Sequence, residues 1–166
     1  AMALVDARYG AVGVSNDDGS LQEFIYVGVD AETAARIGDP PCGRGLLGYL
    51  LQVQQPVRIA ELSEHPSSVG LPPNHPPMHS FLGAPIMVGG NLFGCIYLAE
   101  KANGVAFTAG DAKAIEIFAA ASEHDVLFAE RDQLFEILVR GGNDPDIEAD
   151  AGLAADPADH PALQCA

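Results

Sequence analysis

Few side chains in this sequence are equipped for chemistry. There are five histidines (His65, His75, His79, His124, His160) and three cysteines (Cys42, Cys95, Cys165) in 166 residues. Imidazole titrates near neutral pH and is the commonest metal ligand. A lone histidine, however, is more often structural. The cysteines are odd in number and far apart, which argues against a disulfide framework and against a Cys-x-x-Cys zinc site. Cys95 reads as a buried strand residue, Cys42 as a loop residue, and neither as a nucleophile. Gly43-Arg44-Gly45 is too short for a phosphate-cradling loop and follows no strand of a βαβ unit; its glycines permit a tight turn into a helix. Lys101 and Asp111 read as fastening the last strand to the helix after it, an exposed pair worth about 0–1 kcal/mol. His124 reads as a helix-face residue and His160 as a tail residue. The remaining three, His65, His75 and His79, share one proline-rich stretch.

The elements around these residues follow from turn and cap chemistry. Residues 1–8 read as the last turns of a helix. Tyr9–Ser15 and Leu21–Val29 read as strands joined through Asn16-Asp17-Asp18-Gly19-Ser20, whose Asn, Asp and Gly tolerate positive φ. Asp30 is placed to cap a short helix through Ile37, which Asp39-Pro40-Pro41 ends. A second helix is expected from Leu46 to about Gln54, and a short strand from Pro56 to Ile59. Residues 60–79 carry five prolines (Pro66, Pro72, Pro73, Pro76, Pro77) and predict a long, stiff, shaped loop of the kind that carries function. Phe81–Val88 and Leu92–Lys101 predict a hairpin through Gly89-Gly90-Asn91, with apolar residues on both faces. Thr108 and Asp111 form a capping-box-like start for a helix expected to reach about Arg140. On it, Ile117, Ala121, Phe128, Leu134, Phe135 and Leu138 fall near one stripe. Its second half is expected to pair with another subunit as a homodimer.

Four segments carry a family resemblance. They are Ala7-Arg8-Tyr9-Gly10-Ala11-Val12-Gly13-Val14, Gly43-Arg44-Gly45-Leu46-Leu47-Gly48, His75-Pro76-Pro77-Met78-His79-Ser80-Phe81-Leu82-Gly83-Ala84-Pro85-Ile86, and Phe93-Gly94-Cys95-Ile96-Tyr97-Leu98-Ala99-Glu100-Lys101. Together they resemble the first GAF domain of the mycobacterial dormancy sensor histidine kinases (DosS/DosT type), over about residues 4–130. The resemblance implies an α+β GAF fold: a central antiparallel sheet with helices packed on one face, a ligand pocket on the other, and a long C-terminal helix. It also implies a b-type haem whose proximal ligand is the histidine before Pro-Pro-Met, here His75, and whose distal tyrosine is Tyr97, 22 residues further on (97 − 75). An imidazole on one side of haem iron leaves the sixth position open, where a tyrosine hydroxyl can hydrogen-bond a diatomic gas (O2, NO or CO). Phe81, Leu82, Ile86 and Ile96 are candidates to cover the porphyrin. Lys101, Asn103, Phe107 and Asp111 faintly resemble the signature of cyclic-nucleotide-binding GAF domains, but Ala112 stands where the final acid belongs.

Composition sets the outer limits. The net charge is −15, from 8 basic and 23 acidic residues, which repels nucleic-acid backbones and anionic membranes alike. No apolar run approaches the roughly 20 residues of a membrane span, and no leader segment is visible, so a cytoplasmic location is expected. After Arg140 there is no Lys or Arg and six acids follow. The organisation expected is a GAF sensory domain over 1–141, with its first helix truncated, and a flexible acidic tail over 142–166. The function expected is a non-catalytic sensory module that binds haem b through His75 and acts with a signalling protein partner. The alternative is a cofactor-free GAF domain used for dimerisation or protein interaction. An enzyme of the free-methionine-sulfoxide-reductase kind ranks last, since Cys42 and Cys95 alone are a poor match for a cluster of pocket cysteines.

Overall fold

A computed structural model describes residues 1–16 and 18–121. The first element is a single helical turn, α1 (Met2–Val5), ended by Asp6 in the left-handed region. The hairpin β1 (Ala7–Ser15) and β2 (Leu21–Val27) follows. Its turn is closed by Asn16 N–H donating to Ser20 O at 2.9 Å, and by the Asp18 carboxylate accepting from the Ser20 backbone and hydroxyl. Helix α2 (Ala31–Ile37) starts where the sequence places it: the Asp30 carboxylate accepts from Thr33 N at 2.8 Å, satisfying one of the free amides of a helix start. Helix α3 (Gly45–Val53) and the short strand β3 (Val57–Ile59) come next. The chain is then irregular, apart from one 3-10 turn at Leu62–Glu64, until β4 (Phe81–Val88) and β5 (Asn91–Lys101). Gly89 and Gly90 both have positive φ between these strands, as a tight hairpin turn requires. Helix α4 (Ala109–Ala121) completes the described chain. Its capping box is reciprocal: Asp111 N donates to Thr108 Oγ1 and Thr108 N donates to Asp111 Oδ2.

The strands form one antiparallel sheet in the order β2-β1-β5-β4-β3. Period-two alternation assigns the central strand residues to a face. Val12, Leu82, Ala84, Ile86, Ile96 and Leu98 form one core with Val5 of α1, Phe107, and Ile115 and Ala119 of α4. Ala11, Phe81, Cys95 and Tyr97 form a second core with Leu21, Ile59, Leu62, and Leu50 and Leu51 of α3. The sheet thus has α1 and α4 behind it and α3 with the 60–80 segment in front. This is the α+β GAF architecture expected, with the face expected to hold a ligand covered by α3.

One helical phase differs from expectation. Ile117 is 57% exposed and Ala121 is exposed, whereas Ile115 and Ala119 are buried. The buried stripe therefore runs through Ala112, Ile115 and Ala119, because it is the approach of β4 that selects the face in a helix rich in alanine on all sides. The expected continuation to Arg140, its stripe residues Phe128, Leu134, Phe135 and Leu138, and the tail over 142–166 lie outside the described residues.

Candidate functional site

The second core is built around Tyr97. Its cross-strand neighbours on β5's two flanks are Ala11 and Gly83, small residues that leave room for a large ring to lie over the sheet. Phe24 and Phe81 stand on either side, with ring centroids 6.1 and 6.3 Å from it. The phenol is buried, its hydroxyl makes no hydrogen bond of ordinary geometry, and the polar group beside it is the Cys95 thiol. Buried polar groups nearly always have one, so an orphan of this kind calls for an explanation. Burial pushes the ionisation of Tyr97 upward, and the adjacent Cys95 adds to the effect. The hydroxyl is therefore neutral and available both to donate and to accept. Burial likewise pushes the Cys95 thiol up to about 12, with the Tyr97 hydroxyl offsetting only part of that. Cys95 is a protonated thiol in an apolar layer.

The roof of this layer is tight. A Cβ at Gly83 would overlap Leu50 of α3 and come within 3.0 Å of Phe81, and one at Gly13 would reach Leu21 at 2.6 Å and the Tyr97 ring at 2.9 Å. Glycine at these two positions is what lets α3 and Leu21 close over the phenol.

His75 sits at the end of the proline-rich segment, half-buried. Asn74 before it adopts the left-handed backbone, which Asn tolerates, and its amide donates to Arg36 O at the end of α2 at 3.0 Å. His75 N donates to Pro72 O at 3.2 Å. Its ring Nδ1 lies 2.9 Å from Pro76 O; a carbonyl can only accept, so Nδ1 carries the proton and Nε2 carries the lone pair. A histidine ligand is commonly oriented in this way by a backbone carbonyl. The neighbouring histidines are engaged otherwise: His65 Nδ1 accepts from Ser67 N and its ring packs on Tyr49, while His79 is held by Glu100. Among the described residues, no three His, Cys, Asp or Glu side chains come together as a metal site.

Comparison with known proteins settles the family. The sequence matches the GAF domain family over residues 1–122. The chain belongs to the GAF family. Among solved structures, this GAF domain is similar to the GAF domain of a phosphoenolpyruvate-protein phosphotransferase from Coxiella burnetii, with a TM-score of 0.61 and 20% identity over 73% of this chain and 72% of that one. It is also similar to a GAF domain/HD domain protein from Geobacter sulfurreducens (0.59, 18%, 76% and 86%). A third is the type II free methionine-R-sulfoxide reductase from Thermoplasma acidophilum (0.57, 16%, 81% and 83%). At these identities the likeness is one of fold.

Strand alternation divides the expected contact residues of the GAF domain in two. Tyr97 and Phe81 share the α3 face. Leu82, Ile86 and Ile96 point to the opposite face and are packed, fully buried, against the α1/α4 core; the sheet separates them from anything bound beside Tyr97. Adjacent residues of a strand cannot share a wall, and that rule excludes Leu82 once Phe81 is placed. Residues not anticipated for the layer are Leu21, Leu50 and Met78, all in or against the Tyr97 core. Leu50 comes from a helix and Leu21 from the start of β2, so only the docking of these elements reveals them. With Nδ1 committed to Pro76 O, His75 offers Nε2 as a nitrogen that could hold a haem iron, and Tyr97 offers a hydroxyl on the α3 face. The leucines above Tyr97 mean that a porphyrin would have to displace α3 to enter.

Proposed function

We propose that this GAF domain is a non-catalytic sensory module whose ligand enters the layer between Tyr97 and α3, and that the ligand is haem b held by His75. The observation that carries this reading is the buried Tyr97 hydroxyl, which makes no well-formed hydrogen bond and has only a weakly bonding thiol, Cys95, beside it. An apolar layer with one convergent polar group is how small-molecule sites are usually built. If bound, haem would supply an iron able to take O2, NO or CO. The chain's own residues do the rest. The Pro76 carbonyl holds the His75 ring so that Nε2 is the ligating atom. The Tyr97 hydroxyl offers a hydrogen bond to a polar atom entering the layer. Phe24, Phe81 and Leu21 exclude water, so that this bond forms in a low-dielectric setting where it counts for more. Displacement of α3 is the conformational response, and the signal leaves through a homodimer and a signalling partner.

A catalytic role is not favoured. The thiolate, not the thiol, is the nucleophile, and Cys95 is held as a thiol. No helix of the described chain is long and apolar enough to cross a membrane.

A second reading, a cofactor-free interaction module, is favoured by the close seating of Leu50 and Leu21 over Gly83 and Gly13. The visible spectrum before and after hemin addition separates the two. Saturable uptake with a Soret band that answers to dithionite and CO is expected, and His75→Ala is expected to abolish it while leaving the far-UV circular dichroism unchanged. Equal uptake by parent and His75→Ala would remove His75 from the site, and no saturable uptake at all would leave the interaction module.

A further inference from the structure

Strand β5 changes character at Glu100. From Cys95 to Ala99 its side chains alternate, with Ile96 and Leu98 toward α4 and Cys95 and Tyr97 toward α3. Continued alternation would send Lys101 to the Tyr97 face. Instead Glu100 adopts a left-handed backbone, φ 58°, and the Lys101 ammonium emerges on the α4 side. There it donates to Val5 O at 3.1 Å and to Asp111 Oδ2 at 2.8 Å, 5.6 Å from the centre of the Phe107 ring. Across the ladder, Ala7 pairs with Lys101, and Asp6 before it is also left-handed, φ 52°, its carbonyl accepting from Ala102 N at 2.7 Å. Two non-glycine residues in a disfavoured backbone region therefore meet at one joint. Such residues persist only where their surroundings over-determine them.

On the other side, the surroundings come from the end of the proline-rich segment. The Glu100 carboxylate accepts from His79 N at 2.7 Å and lies 3.3 Å from His79 Nδ1. Glu100 N donates to Ser80 O and Lys101 N to Ser80 Oγ. The residue before His79, Met78, packs on the Tyr97 core.

We propose that Glu100 is a conformational joint that couples the His79 end of the 60–80 segment to α1 and α4. In the setting seen here, the His79–Glu100 contact and the Lys101–Asp111 pair hold the left-handed turn between them. In the other setting Glu100 is extended, alternation continues, and Lys101 leaves Val5 and Asp111. Each grip fixes the geometry the other needs, so releasing His79 loosens both helices although it touches neither. A ligand entering beside Tyr97 displaces Met78 and with it His79, which gives the joint its input; in this respect alone the inference rests on the proposed ligand layer.

The test needs no ligand, so its failure is separate from any failure of haem binding. Amide hydrogen exchange is compared in the full chain for the parent, His79→Ala and Glu100→Gly, the last of which keeps a left-handed backbone accessible without the carboxylate. Exchange in α1 and the first turns of α4 is expected to rise about fivefold or more in His79→Ala, with α2 unchanged. Glu100→Gly, in which the left-handed turn needs no grip to hold it, is expected to stay near the parent. Adding His79→Ala to Asp111→Asn is expected to produce less than the sum of the two effects. Parent-like exchange in α1 and α4 of His79→Ala, or strict additivity with Asp111→Asn, overturns the joint.

Discussion

Tyr97 is held in an arrangement that lowers stability. A buried hydroxyl without a partner carries a desolvation cost of about 1–3 kcal/mol, and Phe would fill the same space without it. In the ligand-free protein, Tyr97→Phe is therefore expected to stabilise by about 1 kcal/mol, seen as a rise of several degrees in Tm. Loss of stability in that variant would show that the hydroxyl has a structural bond. If the hydroxyl serves a bound gas, the same substitution changes gas affinity while haem is retained, so stability is exchanged for response at one atom. Cys95 beside it offers a second check. With its thiol pushed up to about 12 by burial, it is expected to resist iodoacetamide in the native protein near neutral pH and to react on unfolding; rapid native labelling would contradict a sealed layer.

Helix α3 and strand β4 meet at a backbone position. Gly83 faces Leu50 so closely that an added methyl has no free volume, and overpacking in such a site costs about 1–3 kcal/mol. Gly83→Ala is accordingly expected to lower the unfolding free energy by that amount, read as a lower urea midpoint with an unchanged m-value. An unchanged midpoint would mean that α3 rides loosely on the sheet. Under the proposed reading the same seating opposes ligand uptake, since the helix that would lift is the one this contact holds down. Helix α4 is held differently, through a reciprocal cap and the Lys101–Asp111 pair, both of whose side chains are nearly buried (10% and 14% exposed). The pair does fasten β5 to α4, but from within the core and not as an exposed contact. Its geometry depends on the turn at Glu100.

For the whole domain, acid is the condition that loosens it. Burial works against the charge of Asp111, but the Lys101 ammonium and the Thr108 backbone and hydroxyl outweigh it and hold its carboxyl below the ordinary 3.8. Hydrogen bonds from the Ser20 hydroxyl and backbone, the Thr33 backbone and hydroxyl, and the Ser63 hydroxyl and backbone likewise lower Asp18, Asp30 and Glu61. A carboxyl lowered in the folded state contributes stability that is fully present above its unfolded pKa and is lost as pH falls through the folded value. Tm is expected to hold down to about pH 5 and to drop below about pH 4, and Asp111→Asn is expected to flatten part of that drop. A Tm that rises on acidification would show that relief of the −15 net charge dominates these local bonds.

Local chemistry was sufficient for most of the architecture. Both hairpins, the Asp30 cap, the Thr108–Asp111 box, the proline-rich segment and the GAF resemblance were legible in the sequence, because turns and caps depend on residues a few positions apart. Strand alternation was legible as well, but not which face met which helix. That is why Phe81 and Tyr97 share a layer while Leu82, Ile86 and Ile96 lie behind the sheet, and why Ile115 and Ala119, not Ile117, are buried in α4. The left-handed turn at Glu100 and the leucine roof over Tyr97 had no sequence signature: glutamate does not announce positive φ, and Leu50 meets Gly83 only through packing. The chain's local signals determined which elements form, whereas the tertiary structure decided what faces Tyr97, since that depends on contacts between segments far apart in sequence.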